Sequence, residues 1–453
     1  MLKRKIEDSL LHWKNSQSKK ALCIIGARQI GKSTTALEFA KKHYESWMIL
    51  DFIESREARQ IFEKAENTEA VLEGLKAMAS VPLIPGKTLI ILDEIQECPA
   101  ARTFMKYLVQ EGSYAYIETG SLLGVKIKEI HSLPVGFEEI VNMYPLDFEE
   151  FLWATGIQDS VVAYLEDCYH KRIPVSAAVH EKILNYFRLY LVVGGMPEAV
   201  QSFVDQRDIQ MVQQIQKRIL DLYKLDIAQY TEPSNRLKVQ DLFSSVPMQL
   251  NEKNPRFYLT SVNANAKLNR YESSLVWLIE SGTILPSYSV TELKAPLLLN
   301  AKKSLFRLFM SDSGLLCAAL GGGIQKKIIQ RDSQANIGTI LENLFADLLV
   351  ANGFVLYYFN SKKTGELDFV VELEEEAALV EIKSGKDYRN HPALSRILSS
   401  QIWSGKTAVV FCMDPGSYDG PVQYLPWYMV MFFKNKEPDP LILDLDLLIP
   451  EID

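Results

Sequence analysis

Residues 21–44 read ALCIIGARQIGKSTTALEFAKKHY, and this stretch decides the fold of the N-terminal part of the chain. Its opening run, ALCIIG, is apolar and β-type, which is typical of a buried strand, and its closing run, TALEFAKKHY, has helical spacing. The loop between them fits the pattern G-x-x-x-x-G-K-[ST] through Gly26, Gly31, Lys32 and Ser33. A strand, such a loop and a helix in this order predict a phosphate-binding loop.

The chemistry expected of this loop depends on its backbone and on two side chains. Glycines let the backbone bend so that successive N–H groups point at phosphates, and the helix N-terminus adds its dipole. Lys32 is expected to contact the β- and γ-phosphates, and Ser33 to bind Mg²⁺. The other interpretation is an ordinary glycine turn before a helix, which the preceding buried strand disfavours.

A second apolar run, TLIILDEIQ at 88–96, ends in two acids. Asp93 is expected at the carboxyl end of a buried strand, where open parallel sheets bind ligands, so it can hold the water shell of Mg²⁺. Glu94 is expected to polarise an attacking water, although two acids can also simply begin a helix. Thr119 and Ser121 end a further strand, where either hydroxyl can sense a γ-phosphate or form a strand-ending turn.

The order of strand-like and helical stretches predicts an α/β protein with four parts. In residues 1–150, after a helix within 1–20, β-type runs alternate with helices, the rhythm of a P-loop parallel sheet. Residues 151–234 have helical spacing and predict a helical lid. Residues 235–331 read as helices followed by two candidate strands, the pattern of a winged helix. Residues 332–453 begin with a helix, continue with strands, and predict a C-terminal α/β domain.

Composition and charge limit the classes of function. The chain has 453 residues, 47% of them hydrophobic and 23% charged, with a formal net charge of −8, which is typical of a soluble globular protein. A net negative chain is not expected to coat nucleic acid nonspecifically, yet residues 235–331 carry 13 lysines and arginines against 6 acids. Five scattered cysteines and the absence of a long apolar run predict reduced thiols, a cytoplasmic location and no membrane span.

Further motifs add a family resemblance to this pattern. Five of them occur in chain order: GARQIGKST (26–34), LDEIQ (92–96), TGSLLG (119–124), YPLDFEEFL (144–152) and GGMPE (194–198). Together they resemble the bacterial and archaeal AAA-family ATPases, and more narrowly those with an uncharacterised C-terminal domain. The resemblance continues through YESSLVWLIESG (271–282) and FRLFMSDSGLL (306–316), so it covers essentially the whole chain.

The motif chemistry and the resemblance together imply an ATPase that uses ATP and Mg²⁺. Glu94 and Lys32 are the predicted catalytic residues, and Ser33 and Asp93 are the predicted metal ligands. The predicted nucleotide-binding residues are Gly26, Arg28, Gly31, Lys32, Ser33, Thr34 and Ser121.

Two positions qualify the resemblance. Arg28 is similar to the family pattern and is expected either near the phosphates or in solvent as an ordinary loop residue. The family usually carries Gly-Arg before the YPL phrase, and this sequence has Gly136-Phe137. A sensor arginine, or one acting from a neighbouring subunit, is therefore left unassigned.

A second constellation lies in the C-terminal part. In TGELDFVVE the acids Glu366 and Asp368 are two apart and share one face of a strand, and Glu381 and Lys383 in LVEIKSG do the same. Asp368 and Glu381 on adjacent strands are expected to chelate Mg²⁺, with Lys383 orienting a water. Glu342 in the preceding helix is a further candidate ligand. This order resembles the PD-(D/E)XK nuclease core; the alternative is an edge pair of strands with polar outward faces.

Two functions compete on these observations. The first is an ATP-dependent switch that engages DNA through the winged helix, with Lys267–Glu280 as its recognition helix, and that presents a nuclease-like domain. The second is a signalling or scaffold ATPase whose C-terminal domain only binds a partner. The basic segment favours the first and the overall acidity favours the second. The predicted partners are ATP, DNA, and a second copy of the chain or another protein.

Overall fold

The structure, a computed structural model, is built on two β-sheets joined by a layer of helices. It describes residues 2–16, 19–121, 136–250, 256–263, 266–321, 323–332, 337–400, 402–418 and 420–435. Residues 122–124 of the TGSLLG motif and Lys253 of the basic segment lie outside this description. Among the described residues, no helix combines the length and the apolar character needed to cross a membrane.

The first sheet has five strands, all paired in parallel, in the order β2-β3-β4-β1-β5. The strands are β1 (Ala21–Ile25), β2 (Ser46–Asp51), β3 (Thr88–Asp93), β4 (Ala115–Gly120) and β5 (Glu138–Asn142). The parallel α/β sheet predicted from the apolar runs is therefore confirmed. β4 lies between β1, which leads into the glycine loop, and β3, which ends in Asp93. β3 is buried along its whole length, as expected for a strand of a sheet covered on both faces.

Helices cover both faces of this sheet. They are α1 (Ile6–Asn15), α2 (Lys32–His43), α3 (Arg56–Glu63), α4 (Thr68–Met78) and α5 (Pro99–Glu111). One face packs with α3, α4 and α5 in a hydrophobic cluster of its own, which includes Phe52, Phe62 and Met105. The other face, with α1 and α2, shares a cluster with the rest of the molecule.

The middle of the chain is helical. Its helices are α6 (Phe148–Ala154), α7 (Asp159–Lys171), α8 (Ala177–Val193), α9 (Pro197–Gln206), α10 (Ile209–Tyr230), α11 (Pro233–Leu250), α12 (Leu259–Val262) and α13 (Leu268–Glu280). The longest of them, α10, buries Val212, Ile219, Tyr223 and Ile227 at helical spacing, which makes one side of it a packing face.

The second sheet has seven strands in the order β12-β11-β10-β9-β8-β6-β7. The strands are β6 (Ile284–Val290), β7 (Ala301–Met310), β8 (Tyr357–Ser361), β9 (Gly365–Leu373), β10 (Glu376–Ile382), β11 (Ala408–Cys412) and β12 (Val422–Pro426). β6 pairs antiparallel with β7 and parallel with β8. The two strands predicted as the wing of a separate module thus lie in the same sheet as the C-terminal strands, because strand periodicity does not identify a strand's partner.

Four further helices complete the fold. They are α14 (Ser313–Leu320), α15 (Ile324–Ile329), α16 (Ile337–Ala351) and α17 (Pro392–Leu398). α14 and α16 are buried along most of their length. They pack between the second sheet and the helices of the middle part, so the two regions share one core.

Candidate nucleotide-binding site

The loop between β1 and α2 has the backbone geometry of a phosphate cradle. Gly26 has φ +152°, and a Cβ there would lie 2.2 Å from the carbonyl oxygen of Met143, so only glycine fits this close approach. Gly31 has φ +90° and precedes Lys32, the first residue of α2. The first N–H groups of α2 therefore lack helical partners at the end of the loop, where an anion can accept from them.

Lys32 folds back over the loop. Its Nζ donates to the carbonyl oxygens of Gly26 at 3.1 Å and Ala27 at 2.7 Å. Desolvation by burial lowers the pKa of Lys32 to about 8, although Glu94 and Asp93 favour its charged form. A phosphate group in the loop would give the ammonium group a charged partner in place of two carbonyls.

Ser33 and Asp93 meet at the edge of the sheet. The Ser33 Oγ donates to Asp93 Oδ1 at 2.7 Å, and the Thr119 hydroxyl donates to the same carboxylate oxygen. Burial raises the pKa of Asp93, while the two hydroxyl bonds oppose that rise. A hydroxyl and a carboxylate at this separation are hard oxygen donors of the type that Mg²⁺ takes, so the residues present fit the ion.

Glu94 follows directly with a left-handed backbone, φ +53°. Its Oε2 accepts from the Ser121 hydroxyl at 3.2 Å and from the Gln96 side-chain amide. Thr34, in contrast, is exposed in the first turn of α2. The structure thus gathers the predicted Lys32, Ser33, Asp93, Glu94 and Ser121 around one loop.

Arg28 is held by protein partners and is not an ordinary solvated loop residue. Its Nε donates to Ser121 Oγ at 3.2 Å, while its guanidinium forms an ion pair with Asp226 and donates to the Tyr230 hydroxyl at 3.1 Å. The Tyr223 hydroxyl donates to the backbone carbonyl of Arg28 at 3.0 Å. The 223, 226, 230 spacing on α10 predicts one helical face, but nothing in the sequence indicates that this face meets the loop.

Three of the motifs that carry the resemblance, YPLDFEEFL, GGMPE and FRLFMSDSGLL, contact one another. Leu146 of YPL donates its N–H to the Gly195 carbonyl at 2.7 Å, and Gly195 donates to the Asp312 carboxylate at 2.6 Å. Pro197 of the same GGMPE motif lies 3.7 Å from where a Cβ on Gly31 would stand. These motifs therefore act by packing, since they hold the start of α9 against the glycine loop.

The C-terminal acids surround an arginine that no sequence motif marks. Arg307 on β7 is 1% exposed and donates to Glu342 Oε1 at 2.9 Å and to the backbone carbonyl of Asp368 at 3.3 Å. It also pairs with Glu366 and lies with its guanidinium carbon 4.3 Å from the centre of the Tyr358 ring. Two of the predicted acids thus serve as partners of a buried cation.

The other predicted residues of this site are brought together. Asp368 accepts from the Ile382 N–H at 2.7 Å, and Lys383 pairs with Glu381 at 2.8 Å. Burial, with the neighbouring Asp368, raises the pKa of Glu381 to about 8. Among the described residues, the cluster that places three possible ligands within 4.8 Å is a different one, Cys23 with Glu118 and Glu138. The predicted C-terminal acids therefore do not form a group of three ligands at that spacing.

Two further sequence features are the predicted DNA-recognition helix and Phe137, which stands where the resembling family usually has an arginine. The predicted recognition helix is α13, which exposes Arg270 but also the acids Glu272 and Glu280. Phe137, at the position where the resembling family usually has arginine, accepts a backbone bond from Ala21 at 2.9 Å. Its ring lies 5.4 Å from Lys106 Nζ.

Three segments of the chain match models of known protein families. Residues 18–152 match the family model of an AAA domain, and residues 184–326 and 337–420 match two models described as domains of unknown function, DUF8612 and DUF4143. A search of curated proteins gives no match.

The solved structures that the chain matches include a Walker-type ATPase of Pyrococcus abyssi, 13% identical, with a TM-score of 0.45 over 71% of this chain and 96% of that one. They also include the Holliday junction branch migration motor RuvB of Thermotoga maritima, 10% identical, with a TM-score of 0.29 over 62% of this chain and 89% of that one. The family match and the geometry of the loop agree: residues 18–152 form a parallel sheet with a P-loop and are similar to an AAA domain.

Proposed function

We propose that the N-terminal domain binds Mg²⁺-ATP on the 26–33 loop and hydrolyses it to ADP and phosphate. The observation that supports this best is the meeting of Ser33, Asp93 and Glu94 at the carboxyl edge of the parallel sheet. A hydroxyl and a carboxylate there are 2.7 Å apart, and the next residue adds a second carboxylate with a separate set of partners. One acid is therefore available for the ion and the other for water.

Each residue has a task that follows from its chemistry. The loop N–H groups and Lys32 hold the phosphates. Ser33 and Asp93 would hold Mg²⁺, which neutralises charge on the β- and γ-phosphate oxygens. Glu94 orients the attacking water through a carboxylate that Ser121 and Gln96 keep in place.

Two substitutions test this proposal. Lys32→Ala is expected to remove most ATP binding, because the compensating charge is lost. Glu94→Gln is expected to keep ATP binding and abolish turnover, because Ser33 and Asp93 survive while the carboxylate facing water does not. Lys41→Ala, on the exposed side of the same helix, is the matched control. Unchanged ATP affinity in Lys32→Ala, measured by calorimetry, would overturn the assignment.

A second candidate function is metal-dependent phosphodiester cleavage at the C-terminal site. It is favoured by the meeting of Asp368, Glu381 and Lys383 on neighbouring strands. Two carboxylates supply hard oxygen ligands, and one lysine balances charge developing on a phosphate. DNA is the proposed substrate, and exposed lysines near this sheet, including Lys302 and Lys303, are available to contact its backbone.

The test is incubation of the full chain with linear, circular and branched DNA and Mn²⁺, with and without ATP. Cleavage should vanish in Asp368→Ala and persist in Glu376→Ala, which removes a partly exposed acid of the same sheet. DNA retention should fall as salt rises, and fall further in the double variant Lys302→Glu, Lys303→Glu. If no DNA is cut and no Mn²⁺ binds, the C-terminal part is better described as a partner-binding module of a scaffold ATPase.

A further inference from the structure

Arg28 is a second cation in the nucleotide loop, and its contacts are directed towards the catalytic acid. Arg28 Nε donates to Ser121 Oγ, and the same hydroxyl donates to Glu94 Oε2, each at 3.2 Å. Glu94 in turn favours the charged form of Arg28. Only the Ser121 hydroxyl separates the guanidinium from the carboxylate proposed to orient water.

Burial lowers the pKa of Lys32, and the positive charge of Arg28 contributes to the same lowering. Two cations on one short loop repel each other unless an anion lies nearby. In the structure that anion is Asp226 of α10, which pairs with the Arg28 guanidinium; both side chains are mostly buried, at 21% and 14% exposure. Tyr223 and Tyr230 hold the same arginine from the same helical face.

We propose that Arg28 is the arginine that neutralises the γ-phosphate during hydrolysis, supplied from within the loop itself, and that Asp226 is its resting partner. The inference rests on the proposed ATPase function. In the reaction the water oxygen bonds to the γ-phosphorus while the bond from that phosphorus to the bridging oxygen breaks. ADP leaves with the electron pair, the water proton passes to the phosphate product, and Arg28 stabilises the charge on the transferring group.

This assignment also gives α10 a role as a positioning element. The γ-phosphate and the Asp226 carboxylate compete for one guanidinium, so ATP binding has to displace Asp226 and loosen α10 from the loop. ADP lacks the γ-phosphate and leaves the ion pair in place. The lid therefore distinguishes the two nucleotides through a single side chain.

The first arm of the test is steady-state hydrolysis. Arg28→Ala should lower kcat by at least about 100-fold while KM changes less than about threefold, because in the ground state the contact with the γ-phosphate is offset by the loss of the ion pair with Asp226. Arg28→Lys should recover part of kcat. Arg218→Ala is the control. Arg218 lies on α10, as Asp226 does, and the substitution removes only a surface ion pair with Glu198. A kcat within threefold of wild type in Arg28→Ala overturns the proposal.

The second arm is nucleotide binding by calorimetry in the hydrolysis-deficient Glu94→Gln background. Removing the competitor in Asp226→Ala should tighten ATP binding several-fold and leave ADP binding unchanged, and the gain should disappear when Arg28→Ala is added. If Asp226→Ala changes ATP and ADP binding equally, Asp226 has a purely structural role and the proposal is overturned.

The two arms distinguish failure of the Arg28 proposal from failure of the proposed ATPase function. If the wild type hydrolyses ATP and Arg28→Ala does too, only the inference fails. If the wild type does not hydrolyse ATP, the proposed function fails and the catalytic role of Arg28 fails with it. Selective tightening of ATP in Asp226→Ala would then still establish the contact of Arg28 with the γ-phosphate.

Discussion

At the scale of single residues, Lys32 is expected to couple nucleotide binding to proton uptake. Its pKa is lowered to about 8 by burial, so part of the population is neutral at alkaline pH. Phosphates restore the charged form. ATP binding should therefore take up most of a proton at Lys32 at pH 9, and only a small fraction of a proton at pH 7.

Calorimetry in buffers of different ionisation enthalpy measures this uptake. The apparent ATP affinity should fall as pH rises above 8, because each binding event must then protonate the lysine. A binding enthalpy at pH 9 that is the same in every buffer would show that the ammonium group is already charged before ATP arrives.

Arg102 is a residue whose removal should destabilise the fold without touching the nucleotide site. It is 4% exposed and donates to both carboxylate oxygens of Glu138, at 2.9 and 3.0 Å, beside the fully buried Glu118 and Cys23. Arg102→Met leaves these acids without their cation and should cost about 3–5 kcal/mol of unfolding free energy.

Urea unfolding provides the measurement, with Lys406→Met as the control. Lys406 pairs with Glu376 at 2.8 Å but is exposed to solvent, so its loss should leave the midpoint unchanged. Equal effects of the two substitutions would contradict the importance of burial here.

At the scale of elements, the contact between the YPLDFEEFL, GGMPE and FRLFMSDSGLL motifs depends on Gly195. A Cβ on Gly195 would lie 2.1 Å from the Leu146 carbonyl oxygen, which is backbone and cannot rotate away. Gly195→Ala should therefore lower stability by about 3 kcal/mol, at the upper end for overpacking, and loosen the lid.

Gly385→Ala is the matched control, because a Cβ there meets nothing within 4 Å and its backbone carries no positive φ. It should be neutral or slightly stabilising. Thermal unfolding compares the two variants, and a neutral Gly195→Ala would mean that this contact is looser than the 2.7 Å backbone bond implies.

The same elements show what local patterns can predict. The β1-loop-α2 unit and the strand ending in Asp93 follow from a few adjacent residues, so the sequence predicts both the first sheet and its ligand-binding edge. The pairing of Arg28 with Asp226 joins residues 198 positions apart, and Arg307 reaches Glu342 from another element. Such partners are set by tertiary packing, which periodicity does not encode.

At the scale of the whole molecule, one hydrophobic cluster runs from Ile6 in α1 to Phe433 after the last strand. It joins one face of the first sheet, the lid and the second sheet. The boundary predicted after residue 331 divides the strands of one sheet, because β6 pairs with β8. The glycine loop and the strands that carry the C-terminal acids therefore pack on one continuous hydrophobic core.

Buried acids in this core should make the whole chain less stable at alkaline pH. Burial raises the pKa of Glu118 to about 8, of Glu342 to about 7 and of Glu381 to about 8. Between about pH 4.5 and 8 the folded chain binds more protons than the unfolded chain, so the unfolding free energy falls as pH rises through this window.

Urea midpoints at pH 5.5 and pH 8.5 test this dependence. The free energy at pH 8.5 should be lower by at least ~1.4 kcal/mol, the value of a single pKa unit. Glu118→Gln should reduce the difference, since glutamine carries no titrating proton, whereas Glu376→Gln at the exposed end of β10 should not. A midpoint that rises between pH 5.5 and 8.5 would mean that these carboxylates are already ionised in the folded chain, with their charge balanced by Arg102, Arg307 and Lys383.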